Sequence, residues 1–290
     1  MRKPSHHGIY RLWVVIISLI IILVLSISLV RYLQREGDNR LLKKAQKYEN
    51  YNHIREVEKH ASGPPVKYAG NIVAILIDDI GWDRDIVEEL LDIDAPISFS
   101  ILPHLPLSGT IAEEINRFDR DILLHLPMEP YGYPDVDPGI GAIISNMTTE
   151  DMEYELTKDI NSVPYIIGIN NHMGSKLTED EYIMRIILKM IREHDLFFID
   201  SITSSRTVAF KVAKELGLKT AQRKLFLDNT EDIDYINRQI MKLGEIAKKD
   251  GSAIGIGHPY KVTAAALREM IPKLMEEGIE IVPISTMVKY

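Results

Sequence analysis

The chain has 290 residues, 46% of them hydrophobic and 26% charged, and contains no cysteine. That excludes a disulfide frame, a thiolate nucleophile and thiolate metal ligands. Charge is uneven: residues 1–66 carry 11 basic and 5 acidic side chains, and the rest of the chain carries 23 and 37. A body that acidic is a poor match for a phosphate backbone, so no nucleic-acid partner is expected.

Residues 12–30 hold no charge. At about 1.5 Å per residue a helix of this length reaches across the hydrocarbon core of a bilayer. The stretch is apolar all round, has basic flanks and lacks an A-x-A cleavage site. Residues 1–30 are therefore expected to form a cytoplasmic tail and an uncleaved transmembrane signal anchor. Positive charge follows the segment as well as preceding it, but large domains translocate largely regardless of such charges. The body is expected outside, at the cell membrane. Residues 31–66 read as a polar, partly helical stalk closed by Gly63-Pro64-Pro65, and residues 67–290 as one large domain.

The body alternates short apolar runs with amphipathic stretches. Residues 72–77 are apolar and mostly β-branched, and end in Asp78, Asp79 and Gly81. This reads as a strand buried on both faces. Neighbouring side chains on a strand point to opposite faces, so the two carboxylates are expected in different environments. A helix over 84–91, a strand over 97–102, a helix over 107–118 and a strand over 121–126 follow. A Pro/Gly/Tyr-rich loop, 127–146, leads to a helix after Thr148. Next come a strand over 165–169 and a helix opening with a capping box at 178–181. A strand over 196–199, a helix over 208–216, a strand over 220–227 and a helix over 232–249 continue the pattern. The chain closes with a strand over 252–256, a helix over 263–277 and a strand over 279–284. Repeated βα units imply a parallel sheet. Seven or eight mostly parallel strands at this length suggest a closed or nearly closed βα barrel, with an open doubly wound sheet as the alternative.

The strand ends carry the chemistry. In order they present Asp78-Asp79, His104, His125, Asn170-Asn171-His172, Asp200-Ser201, Arg223 with Asp228, and His258. In a βα barrel these ends converge on one face. Only a metal, a charged substrate or both would hold so many ionisable groups together.

IDDIG, HLPMEP, NHMGS, FIDS and GHP, in this order, resemble the divergent polysaccharide deacetylases, relatives of the carbohydrate esterase family 4 deacetylases. The resemblance covers essentially the whole body. It implies a distorted βα barrel, a divalent metal (usually zinc) and hydrolysis of amide-linked acetyl groups on a polysaccharide. By the same resemblance Asp78 matches the general base, Asp79 the metal-binding aspartate, His125 the first histidine of an H-x3-H motif and His258 the late histidine that acts as acid. Here the residue four after His125 is Glu129 rather than His. The third ligand is then Glu129 or His172, and His172 is preferred because it ends the next strand and an imidazole suits zinc. Glu129 is expected to accept a hydrogen bond from a ligand imidazole.

On this reading water activated by the metal attacks the carbonyl, Asp78 takes its proton and His258 protonates the departing amine. Asp200 and Asp228 are expected to orient base and acid or to bind sugar hydroxyls, with a turn cap the plain alternative for Asp200. Asn171, Ser201 and Arg223 are further candidates for substrate or support, Arg223 by pairing with an acidic strand end. Tyr131 and Tyr133 either stack on sugars or pack their loop. Two rival functions stay open: a non-catalytic metal- or glycan-binding envelope module, and a metal-free glycosidase using two carboxylates.

Overall fold

The computed structural model describes residues 70–290. The proposed anchor and stalk lie outside the described residues. Among the described residues no helix is long and apolar enough to cross a membrane. In chain order the elements are β1 (Asn71–Ile80), α1 (Arg84–Leu91), β2 (Ser98–Ile101), α2 (Ser108–Arg117), β3 (Ile122–Met128), α3 (Thr149–Ser162), β4 (Gly168–Met173) and α4 (Glu181–Glu193). They continue as β5 (Phe197–Asp200), α5 (Ala209–Glu215), β6 (Thr220–Gln222), β7 (Leu225–Phe226), α6 (Ile233–Asp250), β8 (Ser252–Gly257), α7 (Lys261–Glu276) and β9 (Ile279–Ile281).

All the paired strands run parallel. Their order is β6-β5-β4-β3-β2-β1-β8-β7, with β9 added beside β1. The two ends of this path, β6 and β7, are separated in the chain only by Arg223 and Lys224. The sheet must therefore curl until its edges meet. Arg223 N–H donates to Asp200 O of β5, and Lys224 N–H to Ile254 O of β8. Among the described residues no ladder joins β6 to β7, so the result is a parallel half-barrel of βα units.

Local chemistry explains the helix starts. Asp83 accepts from Asp85 and Ile86 N–H ahead of α1, and Thr148 and Asp151 form a capping box on α3. Asp232 accepts from Tyr235 N–H at α6, which ends on left-handed Gly251. Each satisfies amides that a helix start leaves without partners. The apolar stripe of α4, with Ile183, Met184, Ile187, Leu188 and Ile191 buried, recurs at helical spacing and faces the sheet.

Four sequence expectations need correction. The single strand over 220–227 is two, because the chain passes there from one barrel edge to the other. The last strand stops at Ile281, where it pairs with the amino half of β1, and Ile284–Met287 is a 3-10 turn. β4 lies some three residues beyond the expected 165–169. The capping box at 178–181 is absent. Leu177–Glu179 forms a 3-10 turn, Thr178 donates its hydroxyl to Gly174 O, and Asp180 caps α4 by accepting from Ile183 N–H.

The inside of the barrel is built by alternation. Ala74 and Leu76 of β1, Leu123 of β3, Phe197 and Ile199 of β5, and Ile254 and Ile256 of β8 form one buried cluster. Val282, Ile284 and Met287 close it. On β4 the inward position is Gly168, where a Cβ would come within 2.3 Å of the Phe197 ring. Extending each inward column by two residues gives Asp78, His125, Asn170, Ser201 and His258, and two more along β4 give His172. The same faces that make the apolar core thus end in polar groups at the carboxyl ends of the strands.

Candidate functional site

Asp78 and Asp79 do share one environment, contrary to the alternation expected of a regular strand. Asp79 adopts φ 57°, and the β1–β2 register shifts between Ile77 and Ile80. This bulge turns a carboxylate that would face the helices back to the barrel mouth. His125 Nε2 is 3.6 Å from Asp78 Oδ2 and 3.2 Å from Asp79 Oδ1.

His172, from the neighbouring strand, completes a triangle. Its Nδ1 lies 2.9 Å from Asp79 Oδ1 and 3.2 Å from His125 Nε2. Asp79 Oδ1 is buried and accepts no well-formed hydrogen bond despite these two close nitrogens. Three ligand atoms this close together, one of them a buried carboxylate oxygen without a hydrogen-bond partner, suit a shared metal ion. The edges approach the roughly 3.3 Å separation that tetrahedral zinc ligands adopt with bonds of about 2.0–2.1 Å. Asp79, His125 and His172 therefore fit a divalent cation.

Asn170 organises the buried side of this centre, and sequence reasoning left it out of the site in favour of Asn171. Its amide nitrogen donates to Asp78 Oδ1 at 2.9 Å and to Ser201 Oγ at 3.0 Å. Its oxygen accepts from His125 Nδ1 at 3.0 Å and from the Ser100 hydroxyl. With Nδ1 donating, Nε2 of His125 is the nitrogen left for a metal or a proton. Asp78 and Asp79 raise the pKa of His125 against the effect of burial, so protons and metal compete for that nitrogen. The signal that could have found Asn170 is parity: it lies two residues before His172 on the same strand face. Asn171 points the other way. It accepts from Ser201 N–H and donates to Met173 O, fastening the β4 and β5 ends together.

Burial pushes the carboxyl of Asp78 above the ordinary aspartate range. Asp79 behaves oppositely: burial works against its charge, but His125 and His172 hold it far below that range. His258 stands on the open side, its Nε2 4.0 Å from Asp79 Oδ2. Its Nδ1 donates to Asp228 Oδ1 at 2.8 Å, and Asp228 Oδ2 accepts from His258 N–H and Thr263 Oγ1. The ring lies between Phe226 and Tyr260, each at a centroid distance of 5.8 Å. Desolvation opposes a charge on His258, yet Asp228, with Asp78 and Asp79, raises its pKa to about 9. Asp228 thus fixes the orientation of the His258 imidazole.

Asp200 and Arg223 hold backbone instead. Asp200 is the turn cap: Oδ1 accepts from Ile202 N–H, and Oδ2 from Thr207 Oγ1 and Phe210 N–H. Arg223 forms no ion pair with an acidic strand end. It donates to Ser201 O and Ile202 O and stacks on Phe226, 3.7 Å from the ring centroid. Glu129 does not support an imidazole; it binds Lys176 Nζ and Ser145 N–H, each at 2.6 Å. His104 turns away from the cluster to Asp159 on α3. Tyr131 braces its loop, donating to Glu179 at 2.6 Å and accepting from Arg206.

Fold and site together define a parallel βα half-barrel with an Asp/His centre at the carboxyl ends of its strands. The model of the divergent polysaccharide deacetylase family matches residues 75–288, and the chain belongs to that family. It is 32% identical over 202 residues to "Uncharacterized protein YibQ" of Escherichia coli strain K12, covering 70% of this chain and 63% of that protein. It is 34% identical over 210 residues to an uncharacterized protein of Haemophilus influenzae, covering 72% of this chain and 74% of that one. The crystal structure of an uncharacterized protein from Agrobacterium tumefaciens C58 has the same fold, with TM-score 0.73 and 22% identity over 77% of this chain and 91% of that one.

Proposed function

We propose that this protein is a metal-dependent hydrolase that removes acetyl groups from a cell-envelope or exported polysaccharide, cleaving the amide carbon–nitrogen bond. The observation that carries the reading is the buried, unbonded Oδ1 of Asp79 facing His125 Nε2 and His172 Nδ1. A divalent cation held by these three, taken here as zinc, would supply Lewis acidity to the carbonyl and to the attacking water. The chain's own residues supply the proton transfers. Asp78, held by Asn170 and kept basic by burial, takes the proton of the water. His258, charged at neutral pH, delivers a proton from Nε2 to the departing amine. Asp78 and His125 are buried while His172 and His258 are partly open, so a polymer would approach from the His172–His258 side. The metal-free glycosidase reading is not favoured, because Asp78 and Asp79 sit in one cluster rather than across a sugar.

The test is elemental analysis of protein purified without chelator, followed by acetate release from acetylated oligosaccharides. Bound zinc with release supports the reading. Zinc without release leaves the non-catalytic envelope module, and absence of metal overturns the hydrolase reading. We further propose that residues 12–30 anchor the body outside the cell membrane. Protease added to intact spheroplasts should then digest the body, and full protection would reverse the orientation.

A further inference from the structure

We propose that His104, Glu155 and Asp159 form a second divalent-cation site, which fastens α3 to the turn that follows β2. The three come from two segments that the sequence does not connect. His104 follows β2 in a left-handed conformation, φ 57°, which turns its ring onto α3. Glu155 and Asp159 are four residues apart on that helix and so share one face. One donor atom from each of the three lies within 4.8 Å of the others.

The carboxylate of Asp159 is the second and independent observation. Its side chain is 0% exposed. Oδ1 lies 2.7 Å from His104 Nε2, while Oδ2 is buried and has no hydrogen-bond partner. A buried carboxylate oxygen with no donor is costly, and a helix on the molecule's outer layer could easily have placed an apolar residue there. Nor can the group swing away. Gly141, at φ 85°, packs against it so closely that a Cβ would stand 2.3 Å from Oδ1. Glu155 and His104 are both partly open to solvent, which gives an ion a way in. Lys158 donates to Glu155 Oε1 at 2.9 Å and leaves the pair of carboxylates with a net negative charge. One imidazole and two carboxylates suit a first-row divalent cation such as zinc or manganese.

The competing arrangement needs no metal: Asp159 carries a proton, burial having pushed its carboxyl to about 8, and merely braces His104. Metal titration separates the two. Full-length protein is loaded with Zn²⁺ or Mn²⁺, dialysed and analysed for metal per chain. The wild type should hold two equivalents, His172→Ala one, and His172→Ala with Asp159→Asn none. Zinc should also raise the Tm of His172→Ala, and that rise should vanish when Asp159→Asn or His104→Ala is added. His104→Ala leaves Asp159 in place, so it serves where the Asn variant folds poorly. A His172→Ala protein that binds no metal, or one whose binding ignores both added changes, overturns the second site. An Asp159→Asn protein that loses one equivalent while His172→Ala loses none keeps this site and defeats the first.

Discussion

Asp200 and Asp228 are both buried aspartates at barrel strand ends, and they do different work. Asp228 spends one oxygen on an imidazole Nδ1–H and thereby charges His258. Asp200 spends both oxygens on the loop that follows it, two of its three donors being backbone N–H groups. Burial alone therefore does not mark a functional carboxylate; the identity of its donors does. The same contrast separates Asn170, which joins Asp78 to His125, from Asn171, which ties two loops.

The sharpest way to break this division is at the metal centre. His172→Ala should abolish zinc at the Asp79–His125–His172 centre and all acetate release, because one of three protein ligands is lost. Glu129→Ala should keep both and show its cost in denaturant unfolding, about 1–3 kcal/mol for the lost charged hydrogen bonds. Zinc lost with Glu129→Ala and kept with His172→Ala would reassign the third ligand.

Next in size is Asp78→Asn. It should retain the metal, measured by elemental analysis, while kcat falls by about 10²–10⁴ through loss of the base. Undiminished turnover would move that role to another group.

A smaller effect is expected at Asp228. In metal-free protein Asp228→Asn should bring the His258 pKa down from about 9 towards 6.5, read by NMR titration of the imidazole. The folded pKa exceeds the ordinary one, so the stabilisation from the charged pair is complete below about 6.5. It is lost as pH rises through 9. Asp228→Asn should flatten that loss in denaturant titrations run across this window. Asp200→Ala is the contrasting control, expected to lower stability by about 1–3 kcal/mol while the His258 titration stays where it was.

Much of this arrangement was legible in the chain. Apolar runs punctuated by Gly and followed by capped helices imply parallel βα units, and their ends carry Asp79, His125, His172 and His258 in plain sight. Those features are local: side-chain alternation, helix spacing and turn chemistry act over a few residues. The misreadings sit where long-range packing overrides local pattern. The bulge at Asp79 exists because β1 must pair with β2 while presenting two carboxylates inward. β4 pairs with β3 from Leu123 to Met128, which places it some three residues later than its apolar run suggests and selects Asn170 over Asn171. The strand over 220–227 divides because the chain crosses there from one edge of the half-barrel to the other, which gives its two halves different neighbours.

By itself, then, the sequence determined which elements form, that they stack in parallel and which residues stand at their ends. Only the tertiary structure decided which of those end groups meet. It sent His104 to Asp159, Glu129 to Lys176 and Arg223 to backbone carbonyls. The reason is physical: a rotation of one residue at a strand end reverses the direction of a side chain, and that rotation is set by hydrogen-bonded partners far away in the chain.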